Sequence, residues 1–293
     1  MDLDLLHSFV SVVDAGGFTR AGERVHRTQS TVSQQIRKLE SNLGCALFRR
    51  IGRQVDLTED GERLLGYARR MLALSTEIRE TVSGKPGVEI VRLGVPDDFA
   101  VSQLTALAAD FAASHPRARI AMRCDLSVQL GRALDRGELD VALVKREPGA
   151  GPCLAAWPER LRWLRGRHGA GRPLPDPIPL VAFPQGCIYR NRAIHALESA
   201  GLRWRIAYES PNIHGLQAAL EGGLGIALLA ERCMTPGTQD CDDLLPPPAS
   251  SELALRLNPA AGVAARELAQ DIRDFCHAAI KTGVGEAAQV ALV

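Results

Sequence analysis

The stretch TQSTVSQQIRKLESNLG, Thr28 to Gly44, decides how this 293-residue chain is read. Val32, Ile36, Leu39 and Leu43 recur at 4-3-4 spacing, the buried stripe of an amphipathic helix from about Ser30 to Leu43. Gly44 stops it, because glycine supplies the left-handed turn that follows a last helical residue. Subtracting the stripe leaves Gln29, Ser30, Thr31, Ser33, Gln34 and Arg37, with Lys38 behind. A solvated helix face ordinarily carries pairs of opposite charges. Hydroxyls and amides followed by bases suit a nucleic-acid surface instead. Glutamine can bond two groups of an adenine edge, serine and threonine reach bases or phosphates, and the free N–H groups of a helix start favour a phosphate.

The flanking sequence supports that reading. Leu3, Leu6, Val10 and Val13, widened by Leu5, Phe9 and Val12, predict a first helix that Ala15-Gly16-Gly17 ends. Phe18 and Thr19 read as a staple residue and N-cap for a short second helix, RAGERVHR, with Ala21 and Val25 inward. Thr28 to Ser30 breaks that helix and caps the next. Helix, glycine turn, short helix, three-residue turn and longer helix make a helix-turn-helix with the third helix as reader. In LFRRIGRQVDLTEDG, Leu47-Phe48 and Val55, Leu57 flank a basic tip, which reads as a β-hairpin wing. It would bring Arg50 and Arg53 to the DNA backbone or minor groove. Thr19 and Arg20, at the head of the second helix, complete the DNA-facing set. Residues 20–53 hold eight bases and two acids, a local net charge of +6, although the whole chain carries only +1. An ordinary solvated basic face is the alternative, but a basic run that brackets a helix-turn-helix fits an electrostatic footprint better.

FVSVVDAGGFTRAGERVHRTQSTVSQQIRKLESNLGCALFRRIGRQVDLTEDGERLL resembles the N-terminal signature of LysR-type transcriptional regulators over roughly sixty residues. The likeness is carried by GGFTRA, TQSTVSQQIRKLE, LG-x-x-LF-x-R and LTEDG. Two positions depart from it. Gly22 stands where the family usually has alanine, a change that should cost about 1 kcal/mol inside a helix. Arg27 stands where the family often has a small or apolar residue, and either adds a phosphate contact or is solvated. The resemblance implies double-stranded DNA as partner, bound at two half-sites of a promoter inverted repeat, and RNA polymerase as a further partner.

Thr58 is placed to cap a long linker helix with Glu59, Asp60 and Glu62 in its positive first turn. Leu64, Ala68, Met71, Ser75, Ile78 and Val82 step by 4 and 3, and Leu65 and Leu72 broaden the seam. Such a helix packs along another, in its own domain or in a partner subunit. The partner is preferred, because the helix leads away from the small N-terminal domain, and Leu64, Ala68, Met71, Leu72 and Ile78 are the expected dimerisation residues. Ser83 to Gly87 forms a hinge. The resemblance implies a homodimer through this helix and usually a homotetramer.

The remaining two thirds alternate in type. EIVRLGVP, ARIAMRC and DVALVK read as strands, with FAVSQLTALAADFAASHP and DLSVQLGRALDRGEL as helices between them. That predicts a parallel sheet with helices on both faces. A second set follows, from IPLVAFP through RWRIAYE and GIALLA, and SELALRL with a helix near Ala264 to Ala279 finishes the chain. The end from about Thr282 is expected to fray. The fold class is therefore multidomain. Residues 1–58 form the α-helical winged helix-turn-helix domain and 59–87 the linker helix and hinge. Residues 88–293 form an α/β effector-binding domain of two Rossmann-like subdomains, about 88–161 with 246–281, and about 162–245. The resemblance implies that this domain is periplasmic-binding-protein-like. FPQGCIYR, YESPNIHGLQAAL and GGLGIAL also resemble the branch of the LrhA and HexA type.

Ligands of such sheets bind beyond the carboxyl ends of strands. Here those places carry Asp97, Asp98 and Phe99; Leu126 and Ser127; Phe183, Pro184, Gln185, Gly186 and Cys187; and Ser210, Asn212 and His214. They are the expected contacts of a small-molecule effector. Asp97 and Asp98 read equally as caps of the following helix; if they line the cleft, they disfavour a simple anion there. Cys187 reads equally as a small buried residue and His214 as a surface or capping one.

Other classes find less support. The seven cysteines show no CxxC spacing and the count is odd, so neither a zinc site nor a disulfide framework is expected, and a reducing cytoplasm is the simplest reading. The resemblance to DNA-binding regulators adds the expectation of a bacterial, nucleoid-associated protein. The first residues carry acids where a leader needs bases, and no run of about 18 apolar residues predicts a membrane span. Gly222-Gly223-Leu224-Gly225 follows a helix and precedes a strand, the reverse of a dinucleotide turn. HExxH, GxSxG and a P-loop are absent, and the histidines are scattered. The expectation is a ligand-responsive transcription factor, not an enzyme, with no metal and no cofactor beyond an unidentified effector. The alternative is a cytoplasmic two-lobed solute-binding protein without a transcriptional role.

Overall fold

The computed structural model describes residues 2–51, 54–83, 88–100, 103–169 and 171–281. Arg53, hinge residues 84–87 and the end from Thr282 lie outside the described residues, as does the side chain of Arg50. The chain forms two compact units, an N-terminal helical one and a C-terminal α/β one.

The N-terminal unit runs α1 (Leu3–Ala15), α2 (Phe18–Arg24), α3 (Gln29–Leu43), β1 (Phe48–Ile51), β2 (Gln54–Leu57) and α4 (Glu59–Ser83). Gly16 closes α1 in the left-handed region at φ 67° and Gly44 closes α3 at φ 71°. Leu5, Leu6, Phe9 and Val12 of α1 meet Ala21 of α2, Val32, Ile36 and Leu39 of α3, and Leu47 in one buried cluster. Leu43, expected in that stripe, is 37% exposed, because α3 runs one turn past the core. Thr19 is not the cap of α2: the helix already begins at Phe18, with Gly17 at the cap position. Thr28 does cap α3, its Oγ1 accepting from Thr31 N at 3.1 Å.

The wing is an antiparallel hairpin, Phe48 opposite Leu57 and Ile51 opposite Gln54. Two side chains fasten it. Glu40 of α3 accepts from Leu47 N at 2.8 Å, and Thr58 Oγ1 donates to Ala46 O at 2.6 Å while accepting from Gly61 N at 3.0 Å. The linker seam is divided. Ala68 and Leu65 are fully buried in their own domain, and Leu64 and Leu72 pack against the same core. Ala68 is therefore not a partner contact, which corrects the expectation: α4 covers the base of the helical domain before it extends outward.

Gly22 also differs from expectation. A Cβ there would lie 2.7 Å from Arg27 O and 3.2 Å from Gln29 N, both backbone atoms of the turn. Replacing Gly22 by Ala is therefore expected to cost about 1–3 kcal/mol through overpacking rather than to gain its helix propensity. A rise in the urea midpoint of G22A would contradict the close approach.

The C-terminal unit begins with β3 (Glu89–Val95), α5 (Asp97–Ala100), α6 (Gln103–Ser114), β4 (Ala118–Cys124), α7 (Ser127–Asp135), β5 (Val141–Arg146), β6 (Ala155–Glu159) and β7 (Leu161–Gly166). It continues with β8 (Ile178–Ala182), α8 (Ile188–Ser199), β9 (Trp204–Glu209), α9 (Ile213–Glu221), β10 (Ile226–Ala230), β11 (Thr238–Asp240), β12 (Ser251–Leu257) and α10 (Val263–Lys281). One sheet has the order β4-β3-β5-β12-β6 and the other β11-β7-β10-β8-β9. Neither is purely parallel, as the alternation had suggested. β12 lies antiparallel to both β5 and β6, and β7 antiparallel to β10 and β11, while β3–β5, β8–β9 and β8–β10 are parallel. A strand returning from a distant part of the chain carries no crossover helix, so it is free to run the other way. Leu93, Leu143, Leu255 and Leu268 lie at the centre of the first sheet's core. Leu216, Leu220 and Leu229 belong to the core on one face of the second sheet, and Leu180, Leu197 and Trp163 to that on its other face.

Candidate functional site

Two surfaces collect the residues singled out above. On the first, the inward stripe of α3 turns Gln29, Ser30, Gln34, Arg37 and Lys38 to solvent, with Thr31 and Ser33 half-buried and Thr19 and Arg20 exposed on α2. Thr28 Oγ1 lies 2.8 Å from both Ser30 Oγ and Thr31 Oγ1, so the hydroxyls at the start of α3 are held together. The adjacent glutamines differ. Gln35 accepts from the buried Ser8 Oγ at 2.7 Å, which holds it inward, and Gln34 stands clear. Arg27 pairs with Asp4 at 3.4 Å at the surface. Arg50 lies on β1, at the expected wing.

The second is a cavity of about 150 Å³ in the C-terminal unit. Its walls come from the ends of both sheets. Asp97, Asp98, Leu126, Ser127, Phe183 and Cys187 line it, as expected from their strand ends. Cys124, Lys145 and Ile188 also line it, and the sequence reading missed them. Lys145 had a signal: it is a cation inside β5, and the strand residues that precede it, Val141 to Val144, are all buried. The other expected contacts stand outside the lining. Asn212 caps α9 by accepting from His214 N at 2.8 Å, Ser210 Oγ accepts from Asn212 N at 3.2 Å, and His214 faces Gln217. Pro184, Gln185 and Gly186 form the turn before α8, and Phe99 packs against the first sheet's core.

The two aspartates engage different partners. Asp97 Oδ2 accepts from Ile213 N at 2.6 Å, so it caps α9 from the opposite side of the cavity. Asp98 is 1% exposed and Lys145 5%, and the two form a direct ion pair. The other oxygen of Asp98 accepts from Arg232 Nη2 at 3.1 Å. Burial alone would raise the Asp98 carboxyl, but Lys145 and Arg232 outweigh it and hold the group down at about 2. The Lys145 ammonium sits 4.0 Å from the centre of the Tyr189 ring, and the Arg232 guanidinium 5.3 Å from that of Phe99. Ser127 Oγ accepts from Lys145 N at 2.9 Å, so this hydroxyl serves the cavity wall itself. Burial pushes the Cys187 thiol up, so it stays protonated and unreactive near neutral pH. Among the described residues no helix is long and apolar enough to cross a membrane, and no group of three or more His, Cys, Asp or Glu side chains is arranged to hold a metal.

Comparison with known proteins bears on both surfaces. Residues 3–62 match the family described as "Bacterial regulatory helix-turn-helix protein, lysR family". Residues 88–280 match "LysR substrate binding domain". The HTH-type transcriptional regulator DgdR of Burkholderia cepacia is 34% identical over 232 residues, 79% of this chain and 78% of DgdR. The HTH-type transcriptional regulator PecT of Dickeya dadantii is 30% identical over 236 residues, 80% of this chain and 74% of PecT. Among solved structures, ArgP from Mycobacterium tuberculosis shares the fold with TM-score 0.73 at 19% identity, over 94% of this chain and 97% of ArgP.

Proposed function

The chain belongs to the LysR family of bacterial helix-turn-helix transcriptional regulators, and from that premise we propose how its residues divide the work. It is a DNA-binding regulator with an effector-binding domain. In our reading residues 1–58 bind DNA, 59–87 join two copies, and 88–293 receive the effector. The exposed amide, hydroxyl and basic face of α3 carries the DNA assignment. Gln34 reads a base edge, the hydroxyls at the start of α3 with Arg37 and Lys38 hold the backbone, and the wing with Arg50 and Arg53 adds charge beside them. A dimer sets two such helices on the half-sites of an inverted repeat. The protein works in the cytoplasm on the nucleoid, without catalysis of its own.

The cavity is the effector site in this reading. Three carboxylates, Asp97, Asp98 and Asp125, line it against one ammonium, Lys145, which Asp98 already neutralises. The effector is therefore a small neutral or cationic molecule rather than a simple anion.

A gel-shift experiment on the DNA upstream of the protein's own gene tests the assignment. The expected result is a sequence-preferring shift that weakens with salt; its absence at every candidate promoter would count against it. Replacing Gln34 by Ala is expected to remove about 1–3 kcal/mol of discrimination between preferred and altered sites. Equal loss of affinity for all DNA would instead make Gln34 a backbone contact.

A further inference from the structure

The chain passes between the two sheets of the C-terminal unit at Arg160, between β6 and β7, and again over residues 241–250, between β11 and β12. These crossings meet at one point. Glu159, the last residue of β6, is paired with Ser251, the first of β12, and Ser251 Oγ donates to Glu159 Oε2 at 3.1 Å. Glu231 N donates to Arg160 O at 2.8 Å, so the short 3-10 turn Glu231–Cys233 rests on the first crossing. Arg232 on that turn donates to Glu159 Oε1 and, with the same Nη2, to Asp98 Oδ2. Tyr189 of α8 donates to Glu159 Oε1 at 2.8 Å and lies 3.3 Å from Asp98 Oδ2. Asp98 in turn holds Lys145 in the cavity wall.

We propose that Lys145, Asp98, Arg232 and Glu159 form a buried ionic relay that couples the cavity to the crossings between the two sheets, with Arg232 as its positioning residue. The two acids and two bases balance. Glu159 has a side chain 2% exposed, and Asp98 is less exposed still. In such surroundings no member moves alone without leaving a desolvated charge. An occupant that displaces Lys145 or Asp98 therefore shifts Arg232, and through it the Glu159–Ser251 pair at which the two crossings meet the first sheet. Its regulatory meaning rests on the cavity being the effector site, but the coupling is a property of the unliganded chain and is tested as such.

The test is hydrogen exchange by mass spectrometry on the full-length protein without ligand. Charge-balanced variants keep the fold: D98N/K145M removes the cavity end and E159Q/R232M the crossing end. D98N/K145M is expected to speed exchange about tenfold or more in peptides covering 156–162 and 249–254, although neither substitution lies in them. E159Q/R232M should do the same, and the fourfold variant should go no further. Removal of the His115–Glu267 pair, which joins α6 to α10 and touches neither end, is the control and should leave these peptides unchanged. Unchanged exchange at the crossings in D98N/K145M, strictly additive effects, or equal loosening throughout the domain would each overturn the relay. Failure of the gel shift or of any ligand to bind would bear on the effector reading and not on this result.

Discussion

Replacing Lys145 by Met is expected to destabilise the C-terminal unit by about 3–5 kcal/mol, because it leaves the Asp98 carboxylate in the interior with one partner fewer. The ammonium it removes touches Asp98 and lies over the Tyr189 ring, away from water. Arg232 keeps its contact with the other oxygen, but it is shared with Glu159, so it does not neutralise Asp98 alone. The double variant D98N/K145M should recover most of the loss, since it removes charge and counter-charge together. The pH dependence has a fixed sign. The native Asp98 carboxyl is held at about 2, below its unfolded value. Its ionisation thus contributes stability that is complete above about pH 4 and disappears as pH falls towards 2. In K145M the depression weakens, so this part of acid unfolding moves to higher pH. Urea denaturation at pH 7 and pH 3 separates the cases. Equal losses in K145M and D98N/K145M at pH 7 would mean that packing of the lysine stem, not the charge pair, carries the effect.

What sequence could reveal followed the range of each interaction. Val32, Ile36 and Leu39 announce α3 because helix periodicity is local, and Gly16, Gly44 and Thr28 mark ends by their own backbone or side chain. Leu43 shows the limit: the same periodicity continues after the core beneath it has ended. The parallel expectation describes the alternating strands, β3 with β5 and β8 with β9 and β10, but not the whole sheets. The reason is that β-α alternation describes neighbours in the chain, whereas β12 returns from 92 residues beyond Glu159 to lie antiparallel between β5 and β6. β11 has only three residues, Pro158 interrupts β6, and the arginines of LRWLRG break any apolar run in β7, so no pattern marks these three as strands. Strand ends placed Asp97 and Asp98 at the cavity. Their roles were not legible, because Asp98 meets Lys145 across 47 residues and Arg232 across 134, and Asp97 reaches Ile213 across 116. Only the fold brings those charges together, and no motif spacing encodes them.

The linker helix gives the largest expected effect on function. Once Leu65 and Ala68 are buried in the N-terminal core, with Leu64 and Leu72 against it, α4 still presents a second apolar stripe. Tyr67, Met71, Leu74 and Ile78 continue it at 4-3-4 spacing, with Leu74 55% and Ile78 54% exposed. A stripe of this period on a long helix is buried by another helix, and a second copy of α4 supplies one with the same spacing. Met71 and Ile78 of the expected dimerisation set belong to this stripe; Tyr67 and Leu74 replace Ala68 in it. Changing Leu74 and Ile78 together to Glu is therefore expected to give a monomer in sedimentation, with the melting of each unit unchanged because neither side chain is part of a core. Binding to a site with two half-sites should fall by about 10²–10⁴-fold, since the second contact loses its effective concentration, whereas binding to a single half-site should be unaffected. Ala68→Glu should behave differently, unfolding the N-terminal unit by placing a charge in its core and abolishing half-site binding as well. If L74E/I78E sediments as the wild type does and binds the paired site as tightly, the copies meet through another surface and the exposed stripe serves some other helix.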